Sequence, residues 1–242
     1  MRIRFSPKYS TFILIAVSLH FSNSASSQFA IGIESGVSWS YMRISNENLP
    51  PNEYVRYITD FPLGVTISYQ PTKKLNVCSG LKYNPKGFQQ KNQYSQEFTE
   101  IRAGYLELPL NFRFLVGHTN VFWYLEPGFS YLYLISYQIF LHQYNLITET
   151  YIDEVENFNP IEINKNGGWH GYLLSLNNFQ ISAGTGMQVN LKRFLLSAGF
   201  SFEWGLNNFF VIHEGKKGFE AILNRSAVFN VRALYSIKTN QN

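Results

Sequence analysis

The chain is poor in the features that mark most chemistries. Its 242 residues contain a single cysteine, Cys78, so no internal disulfide forms and no CxxC or Cys/His spacing offers a zinc site. Charged residues are 15%, against about a quarter in soluble domains. No apolar run after residue 21 is long enough for a spanning helix, which needs about 20 residues. The mean hydropathy of −0.14 fits that reading. No HExxH and no GxSxG occur, and no Ser/His/Asp order is readable. His118, His142, His170 and His213 fall in turns and loops with no close His pair. Neither a metal site nor a cofactor site is therefore expected.

What is abundant is aromatic: 21 Phe, 16 Tyr and 4 Trp, a content that excludes disorder. The formal charge is +4, from 20 basic and 16 acidic residues. Arg2, Arg4 and Lys8 account for three of the basic ones, so the remainder carries 17 against 16. No basic stripe survives to engage nucleic acid. These three charges precede an apolar run at 11–21 and the small-residue stretch SNSASSQ. Charged start, short apolar core and small residues are the plan of an export signal. Cleavage after Ser27, with Ala25 at −3, makes 1–27 a signal peptide and Gln28 the mature start. The fold is then a matter of 28–242.

Beyond residue 27 the chain reads in twos, the period of a strand with two unlike faces. From Phe29 the odd positions are Phe29, Ile31, Ile33, Ser35, Val37, Trp39 and Tyr41, and the even ones are small or polar. The same alternation recurs at 61–70, 75–84, 105–116, 121–134, 178–190, 194–206 and 227–238. Eight amphipathic strands result, most long enough for the roughly 9–11 residues a tilted membrane strand needs. Three connections are short, at 71–74, 117–120 and 190–193. The others are long, at 44–57, 85–101, 136–177 and 207–225. This predicts an all-β fold: an eight-stranded antiparallel transmembrane up-and-down β-barrel. Its short turns would be periplasmic and its long loops extracellular, in the outer membrane of a Gram-negative bacterium.

A soluble lipocalin-like barrel would place the apolar face inward. Two features favour the opposite. The polar face is rich in Gly and Ser, which suits a narrow lumen rather than a solvated surface. Aromatics also gather at both ends of the apolar faces. Trp39, Tyr41, Tyr83, Tyr131, Tyr133 and Trp204 form one ring; Phe29, Tyr69, Phe114, Trp123, Phe194 and Tyr235 form the other. Outer-membrane lipid is then the first partner. Pro62, Pro109 and Pro127 fall within strands and imply bulges, above all at Pro127-Gly128.

Seven ionisable residues lie on the inward face: Glu34, Lys82, Glu107, Arg113, Glu126, Glu203 and Arg232. Depth counting pairs Glu34 with Arg232 across the barrel seam, Lys82 with Glu107, and Arg113 with Glu126. It leaves Glu203 without a partner. Two readings follow, a structural salt-bridge network plugging the lumen or a small polar pore lined by these groups. Gly184-Thr185-Gly186 makes room in the lumen. The 136–177 loop, with Asp153, Glu154, Glu156 and Glu162, is long enough to hold structure and to meet other envelope or secretion proteins.

The segment Tyr105-Leu-Glu-Leu-Pro-Leu-Asn-Phe-Arg-Phe114 resembles the PorT-like outer-membrane β-barrel family of Bacteroidetes. Glu203-Trp-Gly-Leu-Asn-Asn208 and Lys82-Tyr-x-x-Lys-Gly87 are similar to two further short segments of that family. The resemblance spans most of 28–238. It implies an eight-stranded outer-membrane barrel and a link to type IX secretion and protease export through the founding member. It brings no catalytic residues. The 136–177 loop is longer than in the compact members.

Overall fold

In the computed structural model, residues 28–43, 53–118, 120–145, 148–159, 172–207, 210–212 and 223–237 are described. Every regular element in them is a strand. They are β1 (Gln28–Arg43), β2 (Glu53–Arg56), β3 (Ile58–Asp60), β4 (Leu63–Thr72), β5 (Leu75–Asn92), β6 (Phe98–His118) and β7 (Val121–Asn145). Then come β8 (Thr150–Phe158), β9 (Tyr172–Leu174), β10 (Asn177–Leu191), β11 (Phe194–Gly205), β12 (Phe210–Ile212) and β13 (Leu223–Ile237).

Eight of these close a ring in the order β1-β4-β5-β6-β7-β10-β11-β13, and β13 returns to β1 over fifteen paired positions, from Phe29↔Ile237 to Arg43↔Leu223. All pairings are antiparallel. Closure leaves no sheet edge around the ring, which hydrocarbon demands because it offers unpaired N–H and C=O groups no partner. Three tight connections lie at one end: Lys73-Lys74, the step from His118 to Val121, and Lys192-Arg193. Lys192 adopts the left-handed region, with φ of 45°.

The apolar set faces outward. Ile33 is 61% exposed, Leu108 49% and Phe200 38%, whereas Glu34 and Arg232 are 7% and 3% exposed. A soluble barrel with a greasy interior is the reverse arrangement and does not describe this molecule. At the short-turn end Phe29 meets Tyr69 at 4.8 Å between ring centroids, and Phe194 meets Tyr235 at 5.6 Å. At the other end Tyr131 contacts Phe179 at 5.5 Å.

The long-loop end is more ordered than the sequence suggests. β5 runs on to Asn92 and β6 begins at Phe98, so most of 85–101 is strand. β7 extends over 25 residues and forms a hairpin with β8, which fills much of 136–177. β2 pairs with β5 inside the 44–57 stretch and into its flank, and β3 pairs with β1. These extensions pack a second core of Phe88, Ile101, Tyr105, Leu134, Tyr137 and Ile139, with Val55, Leu141 and Phe158 against it. Alternation fades here because neither face of the projecting sheet is bathed in lipid.

The prolines also behave differently. Pro62 precedes β4. Pro109 and Pro127 sit in strands whose register does not shift, since Asn111↔Gly128 and Phe114↔Leu125 keep step. Ladder pairs are simply skipped beside each proline, as between Ser79↔Leu110 and Lys82↔Glu107. The true irregularity in β7 is at Ile135-Ser136, where the register jumps between Gly104↔Ser136 and Tyr105↔Leu134. It switches the inward parity from even to odd, so Leu134 and Tyr137 both reach the same core.

Outward polarity is the parameter this fold tolerates least at mid-height. Ile33→Lys should lower stability in lipid vesicles by about 2–4 kcal/mol, and Val116→Lys near the turn end by about 1 kcal/mol or less. Urea titration of the reconstituted protein reads both. Equal, negligible losses would contradict lipid contact at Ile33.

Candidate functional site

The lumen gathers the inward charges into two cross-braced clusters. The cluster nearer the turn end is a chain of alternating sign. Arg232 (β13) donates from Nε to Glu34 Oε2 (β1) at 2.6 Å and from Nη1 and Nη2 to Glu126 (β7) at 2.7 and 2.8 Å. Arg113 (β6) donates from Nε to Glu126 Oε2 at 2.6 Å. Thr66 Oγ1 donates to Glu34 at 3.0 Å, and Arg113 Nη1 reaches Gln188 and Ser197 at 3.0 and 3.1 Å. The guanidinium of Arg113 also lies 4.0 Å over the ring of Tyr124.

Tyr124 crosses the lumen because glycine lets it. A Cβ on Gly199 or Gly186 would stand 2.0 or 2.6 Å from the Tyr124 hydroxyl. Gly186 belongs to the Gly184-Thr185-Gly186 segment of β10, and its missing side chain is space for that ring.

The second cluster sits towards the long-loop end. Lys82 Nζ (β5) is 3.1 Å from Glu107 (β6) and 3.7 Å from Glu203 (β11). Lys86 Nζ donates to Glu203 Oε2 at 2.6 Å, to Gln180 Oε1 at 2.7 Å and to Ser226 Oγ at 3.1 Å. Asn84 donates to Glu107 at 2.5 Å, and Gln180 Nε2 donates to its other oxygen at 3.0 Å.

Glu203 therefore has two lysine partners, where depth counting gave it none. The residue that completes it, Lys86, falls in the stretch read as loop. Its signal is period two: Lys82, Asn84 and Lys86 share a face once β5 continues. The bonds from Arg232 to Glu126 and from Lys86 to Glu203 span strands that are not neighbours, which pairwise register cannot foresee. With Lys86 the two clusters hold four cations and four carboxylates, each residue less than 10% exposed. Every carboxylate is matched to a cation, which is the condition for holding ions away from water.

Chemically the arrangement neutralises and braces; each carboxylate is occupied by a cation or a hydrogen-bond donor. Cys78 is buried, with its thiol 3.6 Å from Ser68 Oγ. Among the described residues no three His, Cys, Asp or Glu come together in a way that could hold a metal. His142 Nδ1 lies 2.5 Å from Asp153 in the β7–β8 hairpin, stacked between Phe98 and Tyr151. Glu162, His170, His213 and residues 1–27 lie outside the described residues.

A ring of eight strands with an apolar exterior and a charged, filled interior defines an outer-membrane β-barrel. The family model described as "Outer membrane protein beta-barrel domain" matches residues 21–211, and the chain belongs to that family. The protein is an eight-stranded barrel of the outer membrane, with short periplasmic turns and long extracellular strands and loops, in contact with membrane lipid.

No curated protein matches the sequence. Among solved structures, outer membrane protein AlkL in lipid bilayers is 12% identical with a TM-score of 0.47, over 100% of this chain and 99% of that one. OprG from Pseudomonas aeruginosa is 13% identical, TM-score 0.45, over 90% and 99%. Neisserial surface protein A is 12% identical, TM-score 0.42, over 86% and 97%.

Removing one member of the lower chain strands its neighbours. Arg232→Met should cost about 3–5 kcal/mol in urea unfolding. Adding Glu34→Gln should recover part of it, with a coupling of about 0.5 kcal/mol or more. Strict additivity would show that the Glu34–Arg232 contact carries no energy.

Proposed function

We propose that the protein is a non-enzymatic structural and interaction component of the cell envelope, its lumen held shut and its extracellular sheet the working surface. The observation that carries this reading is the pairing of four cations with four carboxylates across the barrel, beside a projecting sheet built from β2, β5, β6, β7 and β8. Eight strands leave an interior just wide enough for side chains to fill, and here long ionic side chains reach across it. The β7–β8 hairpin stands beyond the girdle and presents Asp153, Glu154 and Glu156 on an exposed strand.

Within the family, the short segments at 82–87, 105–114 and 203–208 favour the PorT-like branch of Bacteroidetes and, with it, a role in assembling a protein-secretion complex. Residues 1–27 serve as the cleaved export signal in this reading, with Gln28 the mature start.

Two measurements test the proposal. The purified protein in planar bilayers should add no resolved current steps, and Arg232→Ala or Lys82→Ala should loosen that block. Steady steps from the unaltered protein would replace the closed barrel with a small-solute pore. Excision of residues 143–152 should leave heat-modifiable gel migration intact while abolishing cross-links to other envelope proteins in intact cells. Unchanged cross-links would remove the hairpin from the interaction surface.

A further inference from the structure

The exterior carries one feature that a uniform lipid-facing wall does not need. On the face formed by β1, β13 and β11, Trp39, Ala227 and Phe202 stand side by side in one row. The next row outward is Tyr41, Arg225 and Trp204. The row below, Val37, Phe229 and Phe200, closes the bottom. Ala227 is the short member between two large aromatics, and the result is a groove of about 290 Å3 floored by Ala227. Its upper end is the half-buried Arg225, set between Tyr41 and Trp204. Trp39 and Phe200 stack at 6.3 Å and Phe200 meets Phe202 at 5.3 Å, so the walls are braced.

Arg225 forms no ion pair among the described residues, in contrast to every cation of the lumen. An outward cation at this level costs little, about 0–1 kcal/mol, because it lies at the interface. Yet aromatic walls partly strip its water, which strengthens its attraction for an anion. Guanidinium geometry matches phosphate through two parallel hydrogen bonds. An occupant of this groove therefore needs an anionic head at the outer interface and an apolar tail below it.

We propose that the Trp39–Ala227–Phe202 groove is a binding site for a phosphate-bearing lipid of the outer leaflet. Its phosphate meets Arg225 and one acyl chain lies on Ala227. Chain burial alone confers no preference here, since the surrounding hydrocarbon is equally apolar. Selectivity rests on the arginine, and the slot sets where the chain lies.

The test uses the mature protein in nonionic detergent, titrated with bis-phosphorylated lipid A or its dephosphorylated form and read by native mass spectrometry. The phosphorylated lipid should be retained in preference to the other. Arg225→Gln should weaken its retention roughly tenfold or more while leaving the dephosphorylated lipid unchanged. Ala227→Phe, which fills the slot, should lower occupancy by both. Equal retention of the two lipids by the unaltered protein would overturn the proposal without any variant. So would an Arg225→Gln protein that keeps the preference, or an Ala227→Phe protein that binds as before.

Discussion

Hydrocarbon cannot hydrogen-bond a peptide group, and the rest of this molecule follows from that constraint. Each strand must be paired on both sides through the membrane, so the sheet must close and the first strand must meet the last. β1 and β13 do so along nearly their whole length. Closure at eight strands fixes a narrow interior. Side chains then have to fill it, and small residues appear where a long neighbour crosses, as Gly186 and Gly199 do for Tyr124. The same ring fixes the exterior, where every second residue faces outward and most of those are apolar.

The ion clusters answer a different demand. A narrow lumen holds little water, so a charge placed there needs a partner of opposite sign. Replacing all eight ionisable side chains by apolar ones would solve the solvation problem equally well. What the charged solution adds is directionality: Arg232 and Lys86 tie together strands that share no backbone ladder. The interior is thus cross-linked by side chains as well as lined by them.

Most of the barrel was legible because lipid imposes a strict period on one face. Ile31, Ile33, Leu108, Leu110, Phe200 and Phe202 announce their strands and their outward direction. Legibility ends where lipid ends. From Pro85 to Asn92 and along β8 both faces are polar or mixed, so Lys86 and the hairpin carry no such signature. The parity switch at Ile135-Ser136 is likewise silent in composition, since an extra residue leaves an apolar run looking continuous. Contacts between adjacent strands could be placed by depth, as with Glu34 and Arg232, whereas Arg232 to Glu126 depends on the lumen's diameter. Proline proved a poor guide: at Pro109 and Pro127 the lost donor is absorbed by a skipped ladder pair, with no change of register.

The seam joins residues that are 198 positions apart at Glu34 and Arg232. Until the two ends of the chain meet, each of these side chains is a naked ion on the concave side of an open ribbon. Such a ribbon cannot slip fully into the oily layer ahead of time. Sealing of the cylinder and pairing of these two ions are one and the same contact, an electrostatic latch that engages only when the circle is complete.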